Sequence, residues 1–223
     1  IRASNGYWKI VFSGKSILMP LTSERFWLDW DSAVSIIGHD IEIKETYNAL
    51  IESLEMPDLF IDIGGNYGTH SLLFLVQNIK TMTFEPNRAC HAYFRSVCKL
   101  NEVVERLEPI ALGAGGGYIE LSYPESDTWV GSTDTTVVKN LASTHQLVTE
   151  KKKKKRLDDY FPQIEHHQAL IKLDTEGNEL AVLQGAVRIL QEIKPKVIFE
   201  SRGGGDRIKL FNLLHSCNYG ICY

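Results

Sequence analysis

The sequence has few of the features that mark membrane, secreted or disulfide-bonded proteins. No apolar run approaches the roughly 20 residues that a membrane-spanning helix needs, and neither a signal-peptide pattern nor an N-x-[ST] glycosylation sequon occurs. The four cysteines include no C-x-x-C pair, so their spacing favours reduced, partly buried thiols over disulfides or a zinc site. We therefore expect a protein of the reducing cytoplasm that makes no membrane contact.

The sequence also lacks a strong excess of charge of one sign. Its formal net charge is −4 over 223 residues, which gives no global reason to expect a nucleic acid or an anionic surface as a partner. The local exception is the run Lys151–Lys155, whose like charges repel each other and extend the chain. Because no aromatic side chains are interleaved with these lysines, we interpret the run as a solvated loop or sheet edge and expect no nucleic-acid partner.

Two common nucleotide-binding patterns are missing. A dinucleotide fingerprint needs G-x-G-x-x-G, and no frame of the glycine-rich stretch after Leu59–Ile63 fits it. A P-loop needs G-x-x-x-x-G-K-[ST], but Gly14-Lys15-Ser16 has Lys9 where the first glycine belongs. We therefore interpret residues 13–16 as the turn of a β-hairpin with strands at 7–12 and 17–21.

The chain is organised around an apolar strand that is followed by a glycine-rich loop. Leu59–Ile63 is typical of a buried strand, and an apolar run suited to a helix begins at Ser71. Glycines let the backbone of such a loop approach a ligand closely, and a following helix offers unpaired N–H groups. We predict that the loop holds a cofactor, with an ordinary glycine-rich turn as the alternative. The residues assigned to the cofactor here are Asp62, Gly64, Gly65, Asn66 and Gly68.

An acid at the end of the next predicted strand, Thr81–Glu85, fits the same site. Glu85 lies about 20 positions after Gly64, the separation at which an acid reaches the ribose hydroxyls of a nucleotide bound at the first loop. Two hydroxyls can donate to one carboxylate, and its charge strengthens both bonds. We therefore add Glu85 to the cofactor-binding residues, in preference to a solvated acid at a strand end. Pro86 is expected in the first turn of the next helix.

A third predicted strand that ends in an acid is Ala169–Asp174, and Glu176 and Glu179 follow it. Carboxylates at a helix start are also stabilised by the helix dipole and by capping, so a structural role for at least one of them stays open. Residues 180–193 carry an apolar stripe that predicts a single helix. A last strand is expected to begin at Tyr219.

The chain length suits one α/β domain with a small N-terminal addition. We assign residues 1–57 to an N-terminal hairpin and helix extension and residues 58–223 to the cofactor-binding domain. Since the chain starts at Ile1 without a methionine, we expect a piece of a longer protein, with a sheet that is truncated at its C-terminal end. The aromatic cluster Phe26, Trp27 and Trp30 is expected to pack in the core. Residues 124–150 are expected to form an irregular segment.

Several motifs resemble, in order, those of the FkbM family of S-adenosylmethionine methyltransferases. The most specific is an apolar strand followed by Lys-x-Asp-x-Glu-Gly-x-Glu and a helix with Val-Leu-x-Gly-Ala. The matching stretches are Asp62–Gly68, Phe84–Pro86, Arg156–Tyr160, Leu170–Ala186 and Val197–Glu200. The lysines before Leu157 and the segment 124–150 depart from the family pattern.

The resemblance implies a Rossmann-like class I methyltransferase fold, with a doubly wound, mostly parallel sheet, and S-adenosylmethionine as the cofactor. In a sheet ordered 3-2-1-4-5, strands one and four are neighbours, so Asp62 and Asp174 should face one crevice. The implied reaction is methyl transfer to a hydroxyl of a small-molecule or sugar-like acceptor. The glycine loop, with Asp62, would bind the amino-acid end of the cofactor, and Glu85 would bind its ribose.

We expect Asp174 or Glu176 to accept the proton of the acceptor hydroxyl, with Glu179 in support. Asp174 and Glu176 also have the oxygen ligands that Mg²⁺ takes, but two carboxylates alone do not define a metal site, and none is assigned. His70 is interpreted as an ordinary residue of a helix start. Two alternatives stay open: a Rossmann-like binding module without catalysis, and an RNA methyltransferase that uses the lysine run.

Overall fold

The computed structural model describes residues 6–124, 131–133, 135–200 and 205–220. The strands in chain order are β1 (Gly6–Phe12), β2 (Lys15–Leu21), β3 (Leu59–Ile63), β4 (Lys80–Phe84), β5 (Leu107–Glu108), β6 (Ala111–Leu112), β7 (Gly117–Pro124), β8 (Leu147–Lys155), β9 (Ala169–Leu173) and β10 (Lys196–Phe199). The helices are α1 (Phe26–Gly38), α2 (Ile41–Glu52), α3 (Thr69–Leu75), α4 (Arg88–Leu100), α5 (Thr135–Ala142), α6 (Phe161–Ile164), α7 (Glu179–Gln184), α8 (Val187–Glu192) and α9 (Gly205–Ser216).

The centre of the fold is a five-stranded parallel sheet in the order β10-β9-β3-β4-β5. β3 is buried along its whole length because alternate side chains pack on opposite faces of the sheet. Ile61 and Ile63 pack against the apolar faces of α7 and α8, whereas Phe60 stacks on Phe74 of α3. The predicted Rossmann-like sheet with strand order 3-2-1-4-5 is therefore confirmed.

The predicted N-terminal hairpin is also confirmed. β1 and β2 pair antiparallel around the turn at Ser13 and Gly14, where both residues have positive φ. Ile17 and Met19 of β2 belong to the same apolar cluster as Phe60 of the central sheet. Tyr47 of α2, fully buried, packs edge-on against Phe74 at 4.9 Å. The extension therefore shares a core with one face of the central sheet.

The aromatic cluster of the extension is placed differently from the prediction. Phe26, Trp27 and Trp30 lie on α1, a helix that the sequence reading did not identify. Trp27 is 74% exposed and Trp30 is 38% exposed, so the prediction that the tryptophans pack in the core is wrong. The helix buries its other face instead, which carries Ala33 and Ile36.

The lysine run forms most of β8, the middle strand of a three-stranded sheet ordered β6-β8-β7. The prediction of a solvated loop or edge is therefore wrong. β7 pairs with β8 along its whole length, whereas β6 pairs only with Lys154 and Lys155. Long lysine stems can also cover apolar surface while their charged ends reach polar partners. Lys152, only 6% exposed, pairs with Glu150, and Lys151 lies over the Tyr118 ring at 4.7 Å.

Residues 107–112 are broken at Pro109 and divide into β5 and β6, which belong to different sheets. Three further stretches differ from the sequence prediction. Pro86 precedes α4 by two positions, and Asn87 is its N-cap. The described part of the segment 124–150 contains α5 and the start of β8, so the prediction of an irregular segment is wrong there. Tyr219 and Gly220 form no strand, and residues 221–223 lie outside the described part.

The helix predicted over residues 180–193 is interrupted at Gly185, which separates α7 from α8. A Cβ atom at Gly185 would lie 2.1 Å from the carbonyl oxygen of Gly113, so only glycine fits there. The Gly185 carbonyl also accepts a hydrogen bond from the Asp158 N–H at 2.9 Å. A tertiary contact with the chain around β6 and β8 therefore ends the first helix.

The structure also bears on the expectations for the cysteines and for membrane-spanning helices. Cys90, Cys98 and Cys217 are free, buried thiols, as predicted, and Cys222 lies outside the described residues. Within the described ranges, none of the helices has the length and apolar content that a bilayer span requires.

The close contact between Gly185 and the Gly113 carbonyl leads to a prediction about stability. Gly185→Ala is expected to lower the free energy of unfolding by about 1–3 kcal/mol, because the methyl group overlaps backbone that cannot move freely. Urea unfolding followed by circular dichroism measures the change. Gly116→Ala is the matched control, since the nearest atom to its Cβ would be 3.8 Å away. Equal effects of the two substitutions would contradict the prediction.

Candidate active site

A cavity of about 490 Å³ lies at the carboxyl ends of β3, β4 and β9, within the usual range for small-ligand sites. One wall is the glycine loop after β3, and a second is the segment after β9. Residues of α1, together with His39 and Asp40 between α1 and α2, form a third wall. The cavity therefore lies where sheet order reverses, the place at which open α/β sheets bind ligands.

The glycines of the loop are required mainly by contacts within the protein. Gly64 has a φ of +81°, and a Cβ there would lie 1.7 Å from the Asp174 carbonyl oxygen. A Cβ at Gly65 would lie 2.3 Å from Thr83, and one at Gly68 would lie 2.0 Å from the ring of Phe94. Gly64 and Gly65 line the cavity, whereas Gly68 lies at the N-terminal end of α3 and is not part of the lining.

Glu85 lines the cavity and holds the glycine loop to the start of α4. One of its oxygens accepts a hydrogen bond from the backbone N–H of Asn66 at 2.8 Å, and the other accepts one from the N–H of Asn87 at 2.6 Å. Burial raises the pKa of Glu85 to about 7, although both N–H groups act in the opposite direction. Asn66 itself has a φ of +49° and lines the cavity.

Asp62 lies beneath the loop and does not reach the cavity surface. It is fully buried, and its Oδ2 accepts hydrogen bonds from the N–H and the hydroxyl of Ser71, at 3.1 and 2.7 Å. Its Oδ1 has no hydrogen-bond partner among the described residues and is 3.8 Å from Nζ of Lys172. Asp62 is therefore placed to fix the start of α3 and to balance a buried cation.

That cation, Lys172, is a site residue that the sequence reading did not assign. It lies on β9 beside Asp62 in the sheet register, is 3% exposed, and has Nζ 3.3 Å from Oδ2 of Asp174. Burial opposes its charge, but Asp62 and Asp174 outweigh this effect and raise the pKa of Lys172. The sequence feature that could have identified Lys172 is a lysine inside an otherwise apolar strand, two residues before an acid.

The three acids after β9 have different environments. Asp174 lines the cavity with its side chain 34% exposed, and its N–H donates to the Ile63 carbonyl at 3.0 Å. Glu176 also lines the cavity, has a φ of +57°, and accepts a bond from the Ser132 hydroxyl at its carbonyl. Glu179 is 6% exposed and accepts bonds from the N–H groups of Thr175 and Gly177, so it orders this loop from behind.

A different set of three carboxylates is close enough to share a cation. The ligand atoms of Asp174, Glu179 and Glu200 lie within 4.8 Å of one another. Glu176, which was paired with Asp174 in the Mg²⁺ alternative, does not belong to this set. Lys172 already provides a positive charge beside Asp174, and carboxylates in such a set also occur at sites that hold no metal.

The third wall was not predicted from the sequence. It carries Asp40, the N-cap residue of α2, and His39, which follows α1. His70 lines the cavity as well, and its ring contacts the Tyr47 hydroxyl at 3.1 Å and Asp40 at 3.5 Å. His70 lies in the first turn of α3, as expected, and it also joins the extension to the glycine loop.

Comparison with known proteins gives one match. A family model described as the methyltransferase FkbM domain matches residues 62–220. No curated protein matches the chain, and no solved structure does. The matched region contains the glycine loop, Glu85 and the segment after β9, and it spans well over half of the chain. The chain therefore belongs to the FkbM family of methyltransferases, as the resemblance of its motifs predicted.

Proposed function

We propose that the chain transfers a methyl group from S-adenosylmethionine to a hydroxyl group of a small-molecule or sugar-like acceptor. The observation that carries the proposal is the shared cavity, in which the glycine loop and Glu85 lie on one side and Asp174 and Glu176 on the other. The family is one of methyltransferases, whereas the cofactor, the acceptor and the oxygen nucleophile belong to the proposal.

The cavity has donors and acceptors that fit S-adenosylmethionine. Each oxygen of Glu85 accepts one backbone N–H, and a carboxylate oxygen has a second lone pair, so two ribose hydroxyls can still donate to this residue. Gly64, Gly65 and Asn66 line the cavity where the amino-acid end of the cofactor would lie, although their N–H groups already donate to the Phe84 carbonyl and the Glu85 carboxylate. Asp62 and Gly68 support that loop from below. When bound, the cofactor supplies a methyl group that is activated by its sulfonium.

The protein contributes alignment and proton transfer. Holding two reactants in line can supply about 7–11 kcal/mol of the barrier. Asp174 or Glu176 takes the proton of the acceptor hydroxyl, so that the oxygen can act as the nucleophile. Lys172 holds the Asp174 carboxylate at the cavity edge through their 3.3 Å contact. Glu179 keeps the backbone of this loop in place through its bonds to Thr175 and Gly177.

The other candidate functions have less support. None of Lys151–Lys155 lines the cavity formed by the described residues, so an RNA methyltransferase would lack a basic path into the site. A binding module without catalysis would not require two acids opposite the cofactor loop. We retain a small-molecule acceptor and a reducing, cytoplasmic compartment in the proposal, the latter because three cysteines are free thiols.

The ribose contact can be tested by removing the charge of Glu85. Glu85→Gln is expected to weaken binding of S-adenosylhomocysteine by about 10–100-fold, since a hydrogen bond to a charged group contributes about 1.5–3 kcal/mol. Isothermal titration calorimetry measures the affinity. Glu120→Gln changes an exposed acid of β7 and serves as the control. Equal affinities of wild type and Glu85→Gln would show that Glu85 does not bind the ribose.

The raised pKa of Glu85 predicts a pH dependence. Ribose hydroxyls donate to the carboxylate form, so binding lowers the pKa of Glu85 from about 7 and releases a proton near neutral pH. Affinity for S-adenosylhomocysteine should therefore fall by up to about tenfold per unit as the pH drops below 7, and it should level off above that value. Calorimetry in buffers of different ionisation enthalpy counts the released proton. If the affinity of Glu85→Gln depended on pH in the same way, the pH dependence would not come from Glu85.

The proton acceptor can be tested separately from cofactor binding. Asp174→Asn is expected to lower kcat by about 10²–10⁴-fold, the usual contribution of a general base, while the affinity for S-adenosylhomocysteine changes little. Glu176→Gln tests the second candidate in the same assay of label transfer from the methyl group of the cofactor. If neither substitution lowers kcat, both assignments are wrong.

A further inference from the structure

Asp40 occupies an unusual position at the cavity wall that the extension forms. It is the N-cap residue of α2, yet its side chain makes no capping hydrogen bond, and its φ of +49° lies in the left-handed region. An aspartate at an N-cap normally bonds the first N–H groups of its own helix. Strain in a residue that gives up this bond is typical of positions that serve a ligand site.

A chain of hydrogen-bonding groups directs the Asp40 carboxylate. Contact with His70 lowers the pKa of Asp40 to about 2, and the ionised carboxylate can only accept hydrogen bonds. Burial and the nearby charge of Lys172 lower the pKa of His70, which favours the neutral ring. A neutral ring with its proton on Nε2, 3.5 Å from Oδ2 of Asp40, is the tautomer that suits both of its contacts. Nδ1 is then the acceptor for the hydroxyl of Tyr47, 3.1 Å away. The order of donation is therefore Tyr47 to His70 to Asp40.

The backbone around Asp40 is also fixed. Lys44, 7% exposed, donates from Nζ to the carbonyl oxygens of Ser35 and His39 at the end of α1. A cation at this position is favourable because a helix end carries unpaired carbonyl groups. The turn between α1 and α2 is thus held from the protein side. The Asp40 carboxylate lies at the cavity with 29% of its side chain exposed, and its two oxygens are each 3.5 Å from a histidine Nε2, of His39 and of His70.

The charges around the cavity favour one class of ligand at this wall. Five acids among the described lining residues face one lysine, Lys172, and no arginine. Lys172 is already paired with Asp62 and Asp174. An anionic acceptor would therefore enter a cavity with excess negative charge, whereas a neutral polyol or an amine would not be repelled.

We propose that Asp40 binds the methyl acceptor, and that the acceptor is a neutral or amine-bearing hydroxyl compound rather than a phosphate or carboxylate. This inference rests on the proposed function. The carboxylate accepts a hydrogen bond from a hydroxyl or ammonium group of the acceptor. His70 and Tyr47 are positioning residues that act through Asp40.

The test uses label transfer from methyl-labelled S-adenosylmethionine to three matched sets of compounds: sugars, amino sugars and sugar phosphates. The best acceptor is expected among the sugars or amino sugars. With that acceptor, Asp40→Asn should raise KM by about 10–100-fold, the loss expected for a hydrogen bond to a charged group. Its affinity for S-adenosylhomocysteine should not change. Glu42→Gln, which removes an exposed acid of α2 that does not line the cavity, is the control and should leave KM unchanged.

His70 provides the second arm of the test. His70→Leu removes the donor to Asp40 and should raise KM in the same direction, whereas His70→Gln retains an N–H donor and should recover part of the loss. If His70 had a purely structural role, both variants would have a lower melting temperature, and His70→Leu and His70→Gln would have the same KM.

Three results would overturn the inference: an unchanged KM in Asp40→Asn, a loss of S-adenosylhomocysteine affinity as large as the rise in KM, or a sugar phosphate as the best acceptor. Failure of the wild-type chain to bind S-adenosylhomocysteine would instead refute the proposed function itself.

Discussion

The pairing of β3 with β9 continues one residue past the end of β9, where Asp174 bonds the last residue of β3, and the candidate site depends on this contact. The Asp174 N–H donates to the Ile63 carbonyl at 3.0 Å, and the Asp174 carbonyl oxygen lies where a Cβ of Gly64 would be. No side chain fits between the loop and the acid. The glycine loop and Asp174 are therefore in direct backbone contact.

Lys172 makes this arrangement electrostatically possible. Asp62 and Lys172 are register partners on neighbouring strands, and both are buried. Two carboxylates near each other without a cation would raise each other's pKa and take up protons. A buried pair of this kind adds little net stability, but removing one partner leaves an uncompensated charge and is strongly unfavourable. We infer that Lys172 holds the Asp174 carboxylate in place at the cavity.

The sequence predicted the parts of the site that local patterns determine. Apolar strands that end in Asp62, Glu85 and Asp174, separated by helices, specify a parallel sheet and bring their ends to one edge. It did not show that Asp62 lies under the loop, because side-chain direction depends on register with β9. Nor did it predict the wall formed by Asp40, since the extension reaches the cavity only through tertiary contacts such as Tyr47 with His70. The lysine strand β8 was missed because flanking strands, rather than its own residues, satisfy its backbone.

The central claim is that the cofactor lies between the glycine loop and the end of β9. A crystal structure of the chain with S-adenosylhomocysteine tests it most directly. The account predicts the ribose hydroxyls on the Glu85 carboxylate and the sulfur in the cavity that faces Asp174. A ligand bound elsewhere on the chain, or one in the cavity whose ribose does not contact Glu85, would contradict it.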